Sequence, residues 1–330
     1  MRWNIALLVA SIAVAASSVQ AAKHRMLVLL GLVLLIQTPL EAREAETIIL
    51  APSTPWNLDY GDDVCSLRRV FGTGENETVL QFQSRSPGVG METTLAGKLL
   101  QATHSPYGVK VRFGPANLGE TTREATVGFT AHRGPVLLFD GVAVNANWLM
   151  SVVKNESKAK SIERAKIWRE PPPLEIAAVE QLASELHFEQ KRGPKLLLRT
   201  GVMATPLSGM RDCVDNMIRS WGVDPQVQQD LSVHTQPASN PGTWLSSSDY
   251  PTEMHRQGQN AIVRFRLIVG EDGKVSSCAV QSAAGPTDFR DWTCGLIKRR
   301  AKFRPALDAA GKPVKTYWLS SVRWGIPPDR

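Results

Sequence analysis

Four cysteines, Cys65, Cys213, Cys278 and Cys294, are the first residues to consider for chemistry in this 330-residue sequence. None lies in a Cys-x-x-Cys pair or another metal-type spacing, and an even count in an exported chain points to disulfides. Oxidised cysteines leave no thiol nucleophile. Six histidines (His24, His104, His132, His187, His234, His255) stand singly, without the His-Glu-x-x-His or i, i+4 spacing that holds a metal. Gly72-Thr73-Gly74 and Gly88-Val89-Gly90 do not open helices, so neither reads as a phosphate cradle. No Gly-x-Ser-x-Gly elbow is present, and Ser246-Ser247-Ser248 lies in linker-like composition. Asp62-Asp63 and Asp212 with Asp215 could be acid–base pairs but read as caps and surface charges. The expectation is therefore no enzyme, with no catalytic residue, no cofactor and no metal ligand.

Charge is unevenly placed. The formal net charge is +7, and from Tyr250 onward 14 Lys and Arg face 7 Asp and Glu, while the preceding residues balance at 24 against 24. A basic region can meet nucleic acid, an anionic membrane or an acidic protein. No zinc-finger spacing, RNP-type aromatic pattern or helix-turn-helix accompanies it, so no nucleic-acid partner is expected. It reads as a solvated basic face, with an acidic protein or envelope partner as the alternative.

The first 42 residues read as a signal peptide or N-terminal apolar segment. Met1-Arg2 precedes an apolar run from Trp3 to Ala16 and a small-residue exit at Ser17 to Ala22. The pattern then repeats: Lys23-His24-Arg25, an apolar run from Met26 to Ile36, and a cleavage-like stretch to Ala42. Either Met1 or Met26 could be the start. The second run holds 11 residues, against the ~20 that span a bilayer. Export to the periplasm is the expectation, with retention as an inner-membrane anchor the alternative.

Behind that segment, residues 43–223 read as an exported α+β module. Thr78 to Phe82, Met91 to Leu95, Val109 to Phe113, Ala125 to Thr130 and Val136 to Phe139 are short apolar or alternating runs. Gly and Pro clusters separate them, which is the punctuation of an antiparallel sheet. A helix is expected from Leu174 to Glu185 after Pro171-Pro172-Pro173. A hairpin is expected around Arg192-Gly193, with strands Leu186 to Gln190 and Lys195 to Arg199. Met210, Cys213, Val214, Met217 and Trp221 recur at helical spacing and mark one buried face. Residues 224–248, rich in Gln, Ser, Pro and Gly, read as a linker.

Residues 249–330 form a second domain. Val263, Phe265, Leu267 and Val269 alternate with Arg264 and Arg266, giving a two-faced strand. Gly270 to Gly273 is turn chemistry, and Lys274 to Ser282 returns as the second strand. Gly285 to Asp288 opens a helix with Thr287 or Asp288 as its N-cap, and Pro305 ends it. Cys294, Ile297 and Ala301 share one stripe of this helix, and Lys298, Arg299 and Lys302 face outward. Val314 to Ile326 supplies a third strand. This is a ββαβ unit, with a helix packed on a three-stranded antiparallel sheet. It sets Cys278 in the second strand against Cys294 on the buried side of the helix, so these two are expected to bond. Cys65 then pairs with Cys213 by exclusion.

The residues of this last domain resemble the C-terminal domain of TonB energy-transducer proteins. The resemblance lies in Tyr250-Pro251, Val263-x-Phe265-x-Leu267-x-Val269, Asp272-Gly273-x-Val275, Cys278-x-Val280-x-Ser282, Phe303-Arg304-Pro305-Ala306 and Gly311-Lys312-Pro313-Val314. Arg211-Asp212-Cys213 to Ser220-Trp221-Gly222 resembles the upstream region of a subset from alphaproteobacteria. The resemblance implies a periplasmic module that contacts outer-membrane TonB-dependent transporters and binds an extended transporter peptide by strand addition. Carried over, the binding edge is the last strand, at Ser320, Ser321, Val322, Arg323 and Trp324. Tyr317, Trp318 and Trp324 read equally as caps on the core.

Two features of the family pattern are not matched. The apolar segments hold no Ser-x-x-x-His, and Pro171-Pro172-Pro173 is far short of a periplasm-crossing rod at ~3.1 Å per residue. The function expected is protein–protein interaction in support of TonB-dependent transport. Inner-membrane motor proteins are further partners if the N-terminal segment is retained. The alternative is a soluble periplasmic binding or scaffold protein without energy coupling.

Overall fold

The computed structural model describes residues 46–88, 90–147 and 173–326. The expected N-terminal segment 1–42 and Pro171-Pro172 lie outside the described residues. The protein is α+β, with a large β-rich part preceding a smaller helix-and-sheet part.

The first part holds β1 (Thr47–Leu50), β2 (Asn57–Tyr60), β3 (Cys65–Phe71), β4 (Thr78–Ser84), β5 (Met91–Gly97), β6 (Tyr107–Pro115), β7 (Glu120–Thr130) and β8 (Gly134–Val142). After α1 (Pro173–Gln181) come β9 (Ala183–Gln190), β10 (Lys195–Leu198), α2 (Ala204–Ser220) and α3 (Pro225–Gln229). The strands form one sheet in the order β1-β10-β9-β6-β7-β8-β5-β4-β3-β2, antiparallel except where β1 pairs β10. The first half of β7 pairs β6 and the second half pairs β8, so the sheet changes direction within this strand. The two wings then face each other. Phe82 on β4 meets Phe113 on β6 at 6.0 Å between ring centroids, and Phe139 on β8 meets Phe188 on β9 at 6.4 Å.

Alternation places the core. Thr78, Leu80, Phe82 and Ser84 point inward from β4 while Val79, Gln81 and Gln83 do not. On α2, Leu207, Met210, Cys213, Val214, Met217 and Ile218 are buried against the sheet. Each full burial is worth about 1.5–3 kcal/mol before the entropy of ordering is counted. Cys65 on β3 is bonded to Cys213, which fastens this helix to the sheet. The helix expected over 174–185 stops at Gln181. Ala183 is fully buried and pairs with Pro115, so the sheet claims the last three residues as the start of β9.

The second part comprises β11 (Gln236–Pro237), α4 (Thr252–Arg256), β12 (Ala261–Val269), β13 (Val275–Ala284), α5 (Asp288–Arg300), β14 (Phe303–Arg304), β15 (Ala306–Leu307), β16 (Pro313–Val314) and β17 (Thr316–Trp324). A three-stranded antiparallel sheet in the order β13-β12-β17 carries α5 on one face. Three two-residue strands stand between α5 and β17, β14 pairing with β11 and β15 with β16. Asp288 and Asp291 in the first turn of α5, and Lys298 to Arg300 in its last, match the helix dipole. Thr287 takes the N-cap place without a capping hydrogen bond. The helix ends at Arg300, ahead of Pro305, because Phe303 N donates to Gly273 O at 3.0 Å. Gly273 has φ +74°, and a Cβ there would lie 2.1 Å from Phe303 O, so this turn position is confined to glycine. Cys278 on β13 is bonded to Cys294 on α5.

The stretch 224–248, with the composition of a linker, is folded onto the second part. Trp244 is buried among Phe265, Leu267, Ile297 and Phe303, and Ala238 N donates to Lys302 O at 2.8 Å. The face of β12 opposite α5 lies against the first part. Ile268 joins the core of the module, and Arg264 pairs with Glu92 and with Asp140, the latter at 3.6 Å. Arg266 lies 3.2 Å from Asp63.

Candidate functional site

β17 is the end strand of the three-stranded sheet, so one side of its backbone has no strand partner among the described residues. The other end strand, β13, is tied through Cys278 to α5, and Gln281 on it donates to Asp63 O at 3.5 Å. The start of β17 is also engaged. Gln228 of α3 donates from Nε2 to Lys315 O at 3.2 Å and accepts from Thr316 Oγ1. Beyond its end, Ile326 N donates to Asn260 Oδ1 at 2.9 Å. The stretch left open runs from Trp318 to Trp324.

Pairing with β12 fixes which way each side chain faces. Trp318, Ser320, Val322 and Trp324 lie opposite Leu267, Phe265, Val263 and Ala261, on the α5 side. Tyr317, Leu319, Ser321 and Arg323 lie on the module side. Ser321 and Arg323 are exposed, and Ser320 and Val322 are half-buried. Trp324 is in the core: its indole Nε1 donates to buried Thr293 Oγ1 at 2.8 Å, and its ring stands 5.6 Å from Phe289 and from Tyr250. Its side chain serves the fold, and only its main chain belongs to the edge.

Beside the edge, on the α5 side, is a cavity of about 250 Å³ lined by Trp244, Leu245, Phe265, Ile297, Trp318 and Ser320. Trp244 comes from the stretch read as a linker, and its indole packs edge-on against Trp318 and Phe303 at 5.4 and 5.5 Å. A lone tryptophan in polar sequence gives no periodic signal of its buried position.

This upstream segment is pinned by Asp249. Arg300 at the end of α5 donates to both Asp249 oxygens at 2.6 and 2.7 Å and to Trp244 O at 2.9 Å. Ser246 N donates to Asp249 Oδ2 at 2.8 Å, and Trp292 Nε1 to Asp249 O at 2.7 Å. The Arg300 guanidinium first, and the Ser246 amide after it, hold the Asp249 carboxyl well below the usual carboxylate range.

Among the described residues no group of His, Cys, Asp or Glu could hold a metal ion, and no helix is long and apolar enough to cross a membrane. The described cysteines are all disulfide-bonded.

Residues 246–326 match the family model of the Gram-negative bacterial TonB protein C-terminal. This part of the chain is a TonB C-terminal domain. The match covers α4 through β17 and begins just after Trp244, leaving the ten-stranded module outside it. No curated protein and no solved structure is significantly similar to the chain. TonB C-terminal domains interact with outer-membrane TonB-dependent transporters and belong to the cell envelope. In this TonB C-terminal domain the sheet has α5 on one face and the module on the other, and β13 and β17 are its two end strands.

Proposed function

We propose that the protein is a periplasmic protein–protein interaction module that supports TonB-dependent outer-membrane transport. Its C-terminal ββαβ domain takes up an extended transporter peptide as a further strand along β17. The observation that carries this reading is the side of β17 between Trp318 and Trp324 that has no strand partner among the described residues, in a domain of the TonB C-terminal type. Free N–H and C=O groups of an end strand give sequence-tolerant affinity, and the alternate side chains give selectivity. Ser320, Ser321, Val322 and Arg323 supply the contact surface, and Trp324 adds main chain alone.

Amide hydrogen exchange tests it. Titration with a peptide from the periplasmic face of an outer-membrane TonB-dependent transporter should slow exchange at residues 318–323 and leave β13 unchanged. Protection at β13, or none at β17, would refute strand addition at this edge.

A second reading, a binding or scaffold protein without energy coupling, draws on the packing of the TonB domain against the module through Arg264, Arg266 and Ile268. A transducer in contact with inner-membrane motor proteins needs the N-terminal apolar segment retained as an anchor. Mass spectrometry of the N-terminal residue from fractionated cells separates the two. An intact terminus in the inner membrane favours transduction, and a new terminus near Ala22 or Arg43 in the periplasm favours the scaffold.

A further inference from the structure

The module contains a second, larger cavity, away from β17. Its volume is about 470 Å³, inside the ~300–1,000 Å³ range of small-molecule sites. Met91, Val144, Ile176, Leu207, Met210 and Val214 give it apolar walls drawn from the sheet, α1 and α2.

The charged part of its lining has one dominant sign. Arg211 forks onto Glu180, with Nη1 donating to Oε1 at 2.6 Å and Nη2 to Oε2 at 3.0 Å, so these two charges offset each other. Asp212 and Asp215 lie three residues apart on α2 and therefore share a face, and Glu175 adds a carboxylate from α1. Among the described residues none of these three carboxylates forms an ion pair. Arg211, four residues before Asp215, is engaged by Glu180, and Arg219, four after it, donates to Asn216 Oδ1 at 3.0 Å and acts on Asp215 by charge alone. Burial, the largest influence, pushes the Asp215 carboxyl up, with nearby Asp212 adding to the rise and Arg219 opposing it. These carboxylates do not converge into a cage for a bare metal ion. Apolar walls beside acidic groups that form no ion pair among the described residues suit a cation carried on an apolar body.

We propose that this cavity binds a small organic cation, a primary or quaternary ammonium on an alkyl or aryl body. Asp212 and Asp215 take the charge, and the Met91, Ile176 and Met210 walls take the body. This inference stands apart from the peptide edge, since neither site needs the other.

Isothermal titration of the full chain with octylammonium, octanoate and 1-octanol separates charge from body. Octylammonium should bind at one site roughly tenfold or more tightly than either matched probe. Replacing Asp212→Asn together with Asp215→Asn should weaken octylammonium by a similar factor and leave 1-octanol unchanged, with the melting temperature showing that the fold is kept. Equal affinities for the three probes, or undiminished octylammonium binding in the double variant, would overturn the proposal. So would no binding up to about 1 mM, the result if another part of the chain fills the cavity.

Discussion

The guanidinium of Arg266 stands 4.1 Å from the ring centroid of Trp221. Arg266 projects from β12 of the TonB domain, and Trp221 follows the last turn of α2 in the module, where its indole donates to Asp62 O at 2.9 Å. Tyr317 on β17 meets the same indole edge-on at 5.3 Å. One tryptophan thus joins the module to two strands of the domain.

Arg266 also lies 3.2 Å from Asp63 without the alignment of a hydrogen bond, and among the described residues Asp63 Oδ1 and Arg266 Nε have no hydrogen-bond partner. Arg266→Met, which keeps length and loses charge, should destabilise the protein by about 1–3 kcal/mol through the lost cation–π contact and the stranded Asp63. A urea-unfolding double-mutant cycle with Asp63→Asn should show coupling between the two sites. Strict additivity would mean that they do not act together.

The Cys278–Cys294 bond closes a short loop, with a sequence separation of 16. Replacing both by alanine should cost the C-terminal domain about 2–4 kcal/mol, chiefly by freeing its unfolded chain. Melting of that domain unchanged by the substitution, or by reductant, would show the bond to be energetically idle.

Asp249 gives a pH dependence with a definite sign. Its folded pKa is depressed by Arg300 and the Ser246 amide, so its contribution is fully present above the ordinary carboxylate pKa of about 4 and fades as pH falls through the lower folded value. Asp249→Asn should therefore lower the urea midpoint at pH 6, and the gap to the parent protein should narrow from about pH 4 to pH 2. A gap that stays constant across that range would place the effect of the substitution elsewhere.

Much of this architecture could be read from residue spacing. Met210, Cys213, Val214 and Met217 recur at helical period and are the buried face of α2. Val263, Phe265, Leu267 and Val269 alternate and are the α5-facing side of β12. What stayed hidden depended on partners distant in sequence. Arg264 and Arg266 look like a solvated face until Glu92 and Asp63 are brought to them by the fold. Trp244 carries no period, and Ala183 to Glu185 continue a helical pattern that pairing with β6 overrides. β1, only four residues long, gains its strand from parallel pairing with β10, which no local pattern encodes. At the candidate edge, Ser321 and Arg323 are open, and of the two readings of Trp324, contact residue or cap on the core, the bond to Thr293 favours the core for its side chain.

The most direct test of the central claim is photo-crosslinking in intact cells from a benzoylphenylalanine placed at Ser321 or Arg323, with a control at His132. The account predicts a crosslink from 321 and 323 to an outer-membrane TonB-dependent transporter, identified by mass spectrometry, and none from 132. No transporter crosslink from either β17 position, or an equal one from His132, would contradict it.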